Sequence, residues 1–228
     1  MNDWTVKITG QPLGQDKHQT FRVSNGILEV RYDQYTAFDN QFGHLFFNQP
    51  FAHYELLVEY RFVGEQLRGG PGWATRNSGV MLHAQEPASM SVDQDFPDSV
   101  EAQFLGGFSD NQPRPTGNVC TPGTEVMLDD ALAPHHCSYS SSATFDGDQW
   151  VQIRIVVNGH GTSLIRLAMR QSCAITALNC QKMHQVLATT PVSNSKAATL
   201  RCKASLTLLI FAVWHCGLST HHEHSQRR

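Results

Sequence analysis

At 228 residues with a formal net charge of −3, the chain is long enough to bury one sizeable core without metals or many disulfides. That charge excludes a generally basic surface of the kind that holds nucleic acid or an anionic membrane. The average conceals a division, however. Residues 1–162 carry 19 acids against 9 bases, a balance of −10, whereas residues 163–228 carry one acid, Glu223, against 8 bases, a balance of +7. The second stretch also holds Cys173, Cys180, Cys202 and Cys216, and Gly217 alone among its glycines. It lacks the dense Lys/Arg clusters of a nucleic-acid-binding tail.

In chain order, the opening MNDWTVKITG has neither the basic n-region nor the apolar h-region of a secretory signal. FRVSNGILEVRY (21–32) reads as a hairpin, with Asn25-Gly26 supplying the positive φ values of a tight turn. YELLVEYRF (54–62) alternates, placing Tyr54, Leu56, Val58, Tyr60 and Phe62 on one face. SGVMLHA (78–84), SVEAQFL (99–105) and WVQIRIVV (150–157) behave similarly, between loops rich in Gly, Pro, Asp and Ser. Such strands predict an antiparallel sandwich over residues 1–162. On SVEAQFL, Glu101 and Gln103 share a face opposite Val100, Ala102 and Phe104. A carboxylate beside an amide can bind sugar hydroxyls, and the carboxylate can act as a base; a solvated strand face is the plain alternative.

Asp93, Asp95 and Asp98 offer clustered oxygens suited to calcium, but their spacing departs from a full calcium loop, and a solvated acidic loop competes. No zinc spacing, phosphate-binding loop or nucleophile elbow occurs.

Beyond Thr162 the alternation stops. The run LTLLIFAVW (206–214) is too short to span a bilayer and is expected as coil or a short apolar helix. HHEH (221–224) has the composition of a metal site but sits in the anomalous stretch. Read one base out of register with synonymous codons, the segment Met169–Cys216 stays open, loses its cysteines and regains acids and arginines. This points to a one-base slip between about Gly161 and Met169, which resequencing the gene would reveal. Residues 1–162 are then an incomplete sandwich domain, residues 163–228 a poorly ordered tail, and the C-terminal strands are lost, leaving open edges and an incomplete core.

The segments FGHLFFNQPFAHYELLVEYRF (42–62), GGPGWATRNSGVMLHAQEPASMSVDQDFPDSVEAQFLGG (69–107), RPTGNVCTPGT (114–124) and HHCSYSSSATFDGDQWV (135–151) together resemble the 3-keto-disaccharide hydrolase domain family. The resemblance implies an all-β, concanavalin-A-like jelly-roll sandwich with a sugar cleft on its concave sheet. It also implies a periplasmic or extracellular setting, although the family's usual secretion signal and first strand do not precede Trp4. The substrates it implies are small sugars whose glycosyl ring carries a ketone at C3. The ketone acidifies the hydrogen on C2, so a base can form an enolate that expels the glycosidic oxygen, and water then adds. Such a site needs a base, a donor to the enolate oxygen and an acid for the leaving group.

Carried onto this chain, the family pattern puts Glu101 and Gln103 on the cleft face, Glu101 as base. His83, on the Met81 side of its strand, is a second candidate for proton transfer. Asn77, in the family's NSG turn with Ser78 and Gly79, is a candidate ligand to a substrate oxygen, while Gly79 serves backbone geometry. Arg76 and Arg114 are candidates for oxygen-rich ligands, and Thr116-Gly117 matches a turn lining the cleft. Cys120 and Cys137, 17 residues apart in matching segments, suit a disulfide of an oxidising compartment, against the alternative of two buried thiols. Calcium apart, no cofactor, nucleic acid or membrane partner is expected. A lectin-like binding module and an inactive gene product are the competing functional readings.

Overall fold

The computed structural model describes residues 2–128 and 130–159, together with four strands at 168–171, 188–189, 205–210 and 214–217. The strands are β1 (Trp4–Ile8), β2 (Phe21–Ser24), β3 (Ile27–Val30), β4 (Gly43–Phe47), β5 (His53–Tyr60) and β6 (Asn77–Ala84). They continue with β7 (Val100–Leu105), β8 (Asn118–Cys120), β9 (Met127–Leu128), β10 (Ala131–Leu132), β11 (Cys137–Ser138) and β12 (Val151–Asn158). The last are β13 (Ala168–Gln171), β14 (Ala188–Thr189), β15 (Ser205–Ile210) and β16 (Trp214–Gly217). A seven-stranded sheet in the order β1-β4-β15-β6-β7-β8-β11 faces a six-stranded sheet in the order β13-β12-β5-β16-β3-β2, and β10-β9-β14 form a small third sheet. This is an all-β jelly-roll sandwich.

Local chemistry explains the elements. Asn25 and Gly26 have φ of 51° and 75°, so Ser24 pairs with Ile27 across a two-residue turn. On β12 the burial alternates strictly, with Val151, Ile153, Ile155 and Val157 inside and Arg154 and Asn158 outside. These inner residues meet Val58 and Tyr60 of β5 and, from the opposing sheet, Val80, Leu82, Ala102 and Phe104 in one core. The Tyr60 and Phe104 rings stack across the sandwich at 4.5 Å and 5°. Truncating a fully buried side chain such as Ile153 would cost about 2–5 kcal/mol.

On the other face of the seven-stranded sheet, Phe42, Phe46, Met81, Ala84 and Met90 form a second, smaller cluster. This outer cover explains why β6 is buried on both faces along nearly all its length. The alternation expected of SGVMLHA is therefore absent from its burial, as for a strand covered on both faces.

The expected loss of the C-terminal strands is corrected here. Strand β15 lies between β4 and β6, and β16 between β3 and β5. Ser205–Ile210 is strand rather than coil or helix: its run of leucines and isoleucine suits a position paired on both sides. The remaining residues of the 163–228 stretch, including Cys173, Cys180, Cys202 and HHEH (221–224), lie outside the described residues.

Candidate active site

The outer face of the seven-stranded sheet carries a cleft of about 1270 Å³. Its floor comes from β6 and β7, whose register sets Asn77 opposite Leu105, Gly79 opposite Gln103 and Met81 opposite Glu101. Because side chains alternate along a strand, Glu101, Gln103 and Leu105 all face this cleft while Val100, Ala102 and Phe104 face the core. The face proposed from the sequence is therefore the cleft face.

Glu101 is only 6% exposed, and its Oε1 is buried without a hydrogen-bond partner. Burial pushes its carboxyl up to about 8, because a charge in so dry a place loses its hydration. Gly79 makes the space: a Cβ there would lie 2.8 Å from Glu101 Cγ, 2.9 Å from the Ala102 carbonyl oxygen, and closer still to Glu101 Oε1. Gly79 has no positive φ, so the expectation that it serves backbone geometry gives way to clearance for the carboxyl.

Asn77 donates its Nδ2 to the Trp73 carbonyl at 3.0 Å, while its Oδ1 is buried without a partner. Gln103 accepts at Oε1 from Asn118 Nδ2 at 2.9 Å. The floor thus holds two unpartnered acceptor oxygens and one amide, at a spacing set by adjacent strands.

The walls are aromatic and acidic. Trp73, Phe108 and Tyr139 line the cleft and are 55%, 47% and 73% exposed, an unusual outlay of apolar rings around one hollow. Asp95, Asp98, Asp110 and His136 line it too, so loops add carboxylates that SVEAQFL alone does not supply. Arg114 also lines it, but its guanidinium is largely engaged. It donates to the carbonyls of Arg76 at 3.0 Å and Thr75 at 2.6 Å and to that of Gly106, and lies 4.2 Å over the Phe108 ring. Burial, then the neighbouring charge of Arg76, lowers Arg114 to about 10, which leaves it a cation at neutral pH.

Three expected site residues fall outside this lining. His83 sits at φ 52° in a bulge where three steps of β6 (Met81 to Ala84) oppose two of β15; the extra residue breaks the alternation that put it on the Met81 side. Thr116 is fully buried, bridging the Tyr60 hydroxyl at 2.7 Å and the Leu105 N–H at 2.9 Å, so it ties the two sheets together. Arg76 donates to the Gly147 carbonyl and packs 5.9 Å over Phe62.

Asp93, Asp95 and Asp98 do not converge, and among the described residues no three His, Cys, Asp or Glu side chains form a metal-ion ligand set. Cys120 and Cys137 form a disulfide joining directly paired positions of β8 and β11, with Cys120 directly opposite Glu101 across β7 and β8. Reduction should lower stability by on the order of 3 kcal/mol for a loop of this length. Denaturant melts with and without reductant check this, and coincident curves would contradict it.

Sequence reading missed Asn118, which is fully buried, and the aromatic wall. Asn118 lies in NVC, where the cysteine draws attention, and exposed aromatics cannot be told from core ones by residue type alone.

A jelly-roll sandwich with a polar-floored, aromatic-walled cleft on one sheet is the class that this fold and site define. The chain belongs to the 3-keto-alpha-glucoside-1,2-lyase-like domain family, whose profile matches residues 1–223. Comparison with curated proteins gives no match. Among solved structures, the chain is similar to the metal-free VIP36 exoplasmic/lumenal domain at 9% identity and a TM-score of 0.48, covering 98% of this chain and 87% of that one. The Ca2+/Man3GlcNAc-bound form of that domain gives 9% identity and 0.47, covering 99% and 88%. The potassium-bound Emp46p carbohydrate recognition domain gives 9% and 0.39, covering 95% and 86%.

Proposed function

We propose that this protein cleaves the glycosidic bond of sugars oxidised to a ketone at C3. The observation that carries the reading is Glu101, a cleft-floor carboxyl with an unpartnered oxygen, beside the amide of Gln103 on the same strand face. Ionised Glu101 takes the C2 proton, and the electron pair of that C–H bond passes to the C3 oxygen as an enolate. The amide of Gln103 donates to that oxygen. Collapse of the enolate breaks the C1–O bond, the leaving oxygen takes a proton, and an unsaturated ketone remains. Water then adds its hydroxyl at C1 as its remaining proton restores the acid that served the leaving oxygen, and Glu101 returns its proton to C2. His136, Asp98 and Asp110 line the same cleft and are candidates for the acid at the leaving oxygen. The family to which the chain belongs is named for this chemistry.

The test is turnover of a methyl 3-keto-glucoside beside its unoxidised parent. Cleavage confined to the ketone, slowed by deuterium at C2, is the expected result. Equal cleavage of the parent, or no isotope effect anywhere in the reaction, would defeat the mechanism.

A non-catalytic sugar-binding role is the second reading, favoured by the exposed rings of Trp73, Phe108 and Tyr139, which suit the apolar faces of pyranose rings. The disulfide is consistent with an oxidising, periplasmic or extracellular compartment. Among the described residues no helix is long and apolar enough to cross a membrane.

A further inference from the structure

The direction in which Gln103 presents its amide is fixed by a chain of hydrogen bonds that begins at the backbone. The Ser140 N–H, which can only donate, points at Asn118 Oδ1 at 3.0 Å. The Pro115 carbonyl, which can only accept, receives Asn118 Nδ2 at 3.0 Å. These two contacts leave Asn118 one orientation, with its amine end toward Gln103. That amine donates to Gln103 Oε1 at 2.9 Å, which leaves Gln103 Nε2 as the end offered to the cleft. Asn118 is 0% exposed and sits directly opposite Gln103 across β7 and β8, so water does not compete for these bonds. Gly117, next to it, ties its N–H to the Gln103 carbonyl at 2.7 Å, holding the two strands in that register.

We infer that Asn118 is a positioning residue that locks Gln103 donor-outward, making this part of the cleft a reader of a carbonyl or enolate oxygen rather than of a hydroxyl hydrogen. The inference rests on the functional reading above and adds a specificity element to it. A hydroxyl both donates and accepts, so either end of the amide can pair with the C3 hydroxyl of an ordinary sugar, whereas a ketone oxygen only accepts. Asn118 therefore holds outward the one end that a ketone requires, and turning it would break a buried bond. Asn77 Oδ1, an unpartnered acceptor on the same floor, is left to take a hydroxyl elsewhere on the ring.

Two substitutions test this, each made in a Glu101→Gln background so that the ligand is not consumed. Asn118→Asp presents acceptors where Gln103 Oε1 needs a donor, which turns the Gln103 amine inward and its oxygen toward the cleft. Gln103→Glu keeps the bond from Asn118 but puts an oxygen where Nε2 stood. Titration calorimetry with methyl 3-keto-glucoside and with methyl glucoside gives the readout, and thermal melts report folding. Both variants are expected to lose about tenfold or more in affinity for the ketone while methyl glucoside changes less than about twofold. A merely structural role would weaken both sugars together, and that outcome, or an unchanged affinity for the ketone, overturns the inference. If Asn118→Asp does not fold, Gln103→Glu decides by the same criteria. A parent protein that binds neither sugar would overturn the functional reading and the inference with it, a result distinct from equal losses in the variants.

Discussion

Replacing Glu101 by Gln is expected to reduce turnover of a 3-keto-glucoside by about three orders of magnitude while leaving its affinity within a few-fold. The amide keeps the shape of the carboxyl but cannot take the C2 proton. The pH dependence carries the same signature. Burial holds the Glu101 carboxyl near 8, so in the free protein its base form is the minority at pH 7. The kcat/KM of the wild-type protein should rise about tenfold per pH unit toward 8 and then level, and this limb should vanish in the variant. A flat profile, or a variant as active as the parent, would return the protein to the sugar-binding reading.

Stability should move in the opposite sense. Unfolded, the carboxyl ionises near 4.5; folded, it keeps its proton until about pH 8. The folded state therefore binds the extra proton between those values, and the wild type loses stability as pH rises through that window. Below about 4.5 the two forms of the residue behave alike. Above 8 the Gln variant should be the more stable by on the order of 5 kcal/mol, seen as diverging melting curves between pH 4 and pH 9.

Gly79→Ala should be the next most damaging change. Its methyl would meet Glu101 Cγ at 2.8 Å and the Ala102 carbonyl oxygen at 2.9 Å, distances that carbon atoms do not sustain. The carboxyl is the softer of these neighbours, so it swings away while the ladder holds. Activity should fall by at least about 100-fold, since small misplacements of a reacting group have effects of that size. Stability should fall by about 1–3 kcal/mol from overpacking. In a Glu101→Ala background more than half of the stability cost should disappear, and a cost that persists in full would show that the clearance is not for the carboxyl.

Much of this was legible because two local rules operate without tertiary help. Asn25-Gly26 announces its turn through the φ values that few other residues tolerate, and strict alternation on β12 announces which side is core. Glu101 and Gln103 were placed on a common face by the same period of two. The period failed at His83, where one inserted residue in β6 shifts the count, since nothing in SGVMLHA marks a bulge. Thr116 and Arg76 fall outside the cleft lining for a different reason. A hydroxyl and a guanidinium are as able to satisfy buried protein groups as to hold a sugar, and only the neighbours decide which. The strand at Ser205–Ile210 was hidden because an apolar run without alternation reads as readily as a helix segment as it does as a strand.

Strand β15 also governs how this protein is made. It fills the gap between β4 and β6, so two edges from the first half of the chain wait for a segment synthesised more than a hundred residues later. Until that segment leaves the ribosome, the sheet that carries the cleft is split, and its bare edges invite pairing with other nascent chains. Such long-range closure is slow, and fusing a bulky partner directly after the last strand or trimming the chain ahead of it should raise aggregation before it touches chemistry.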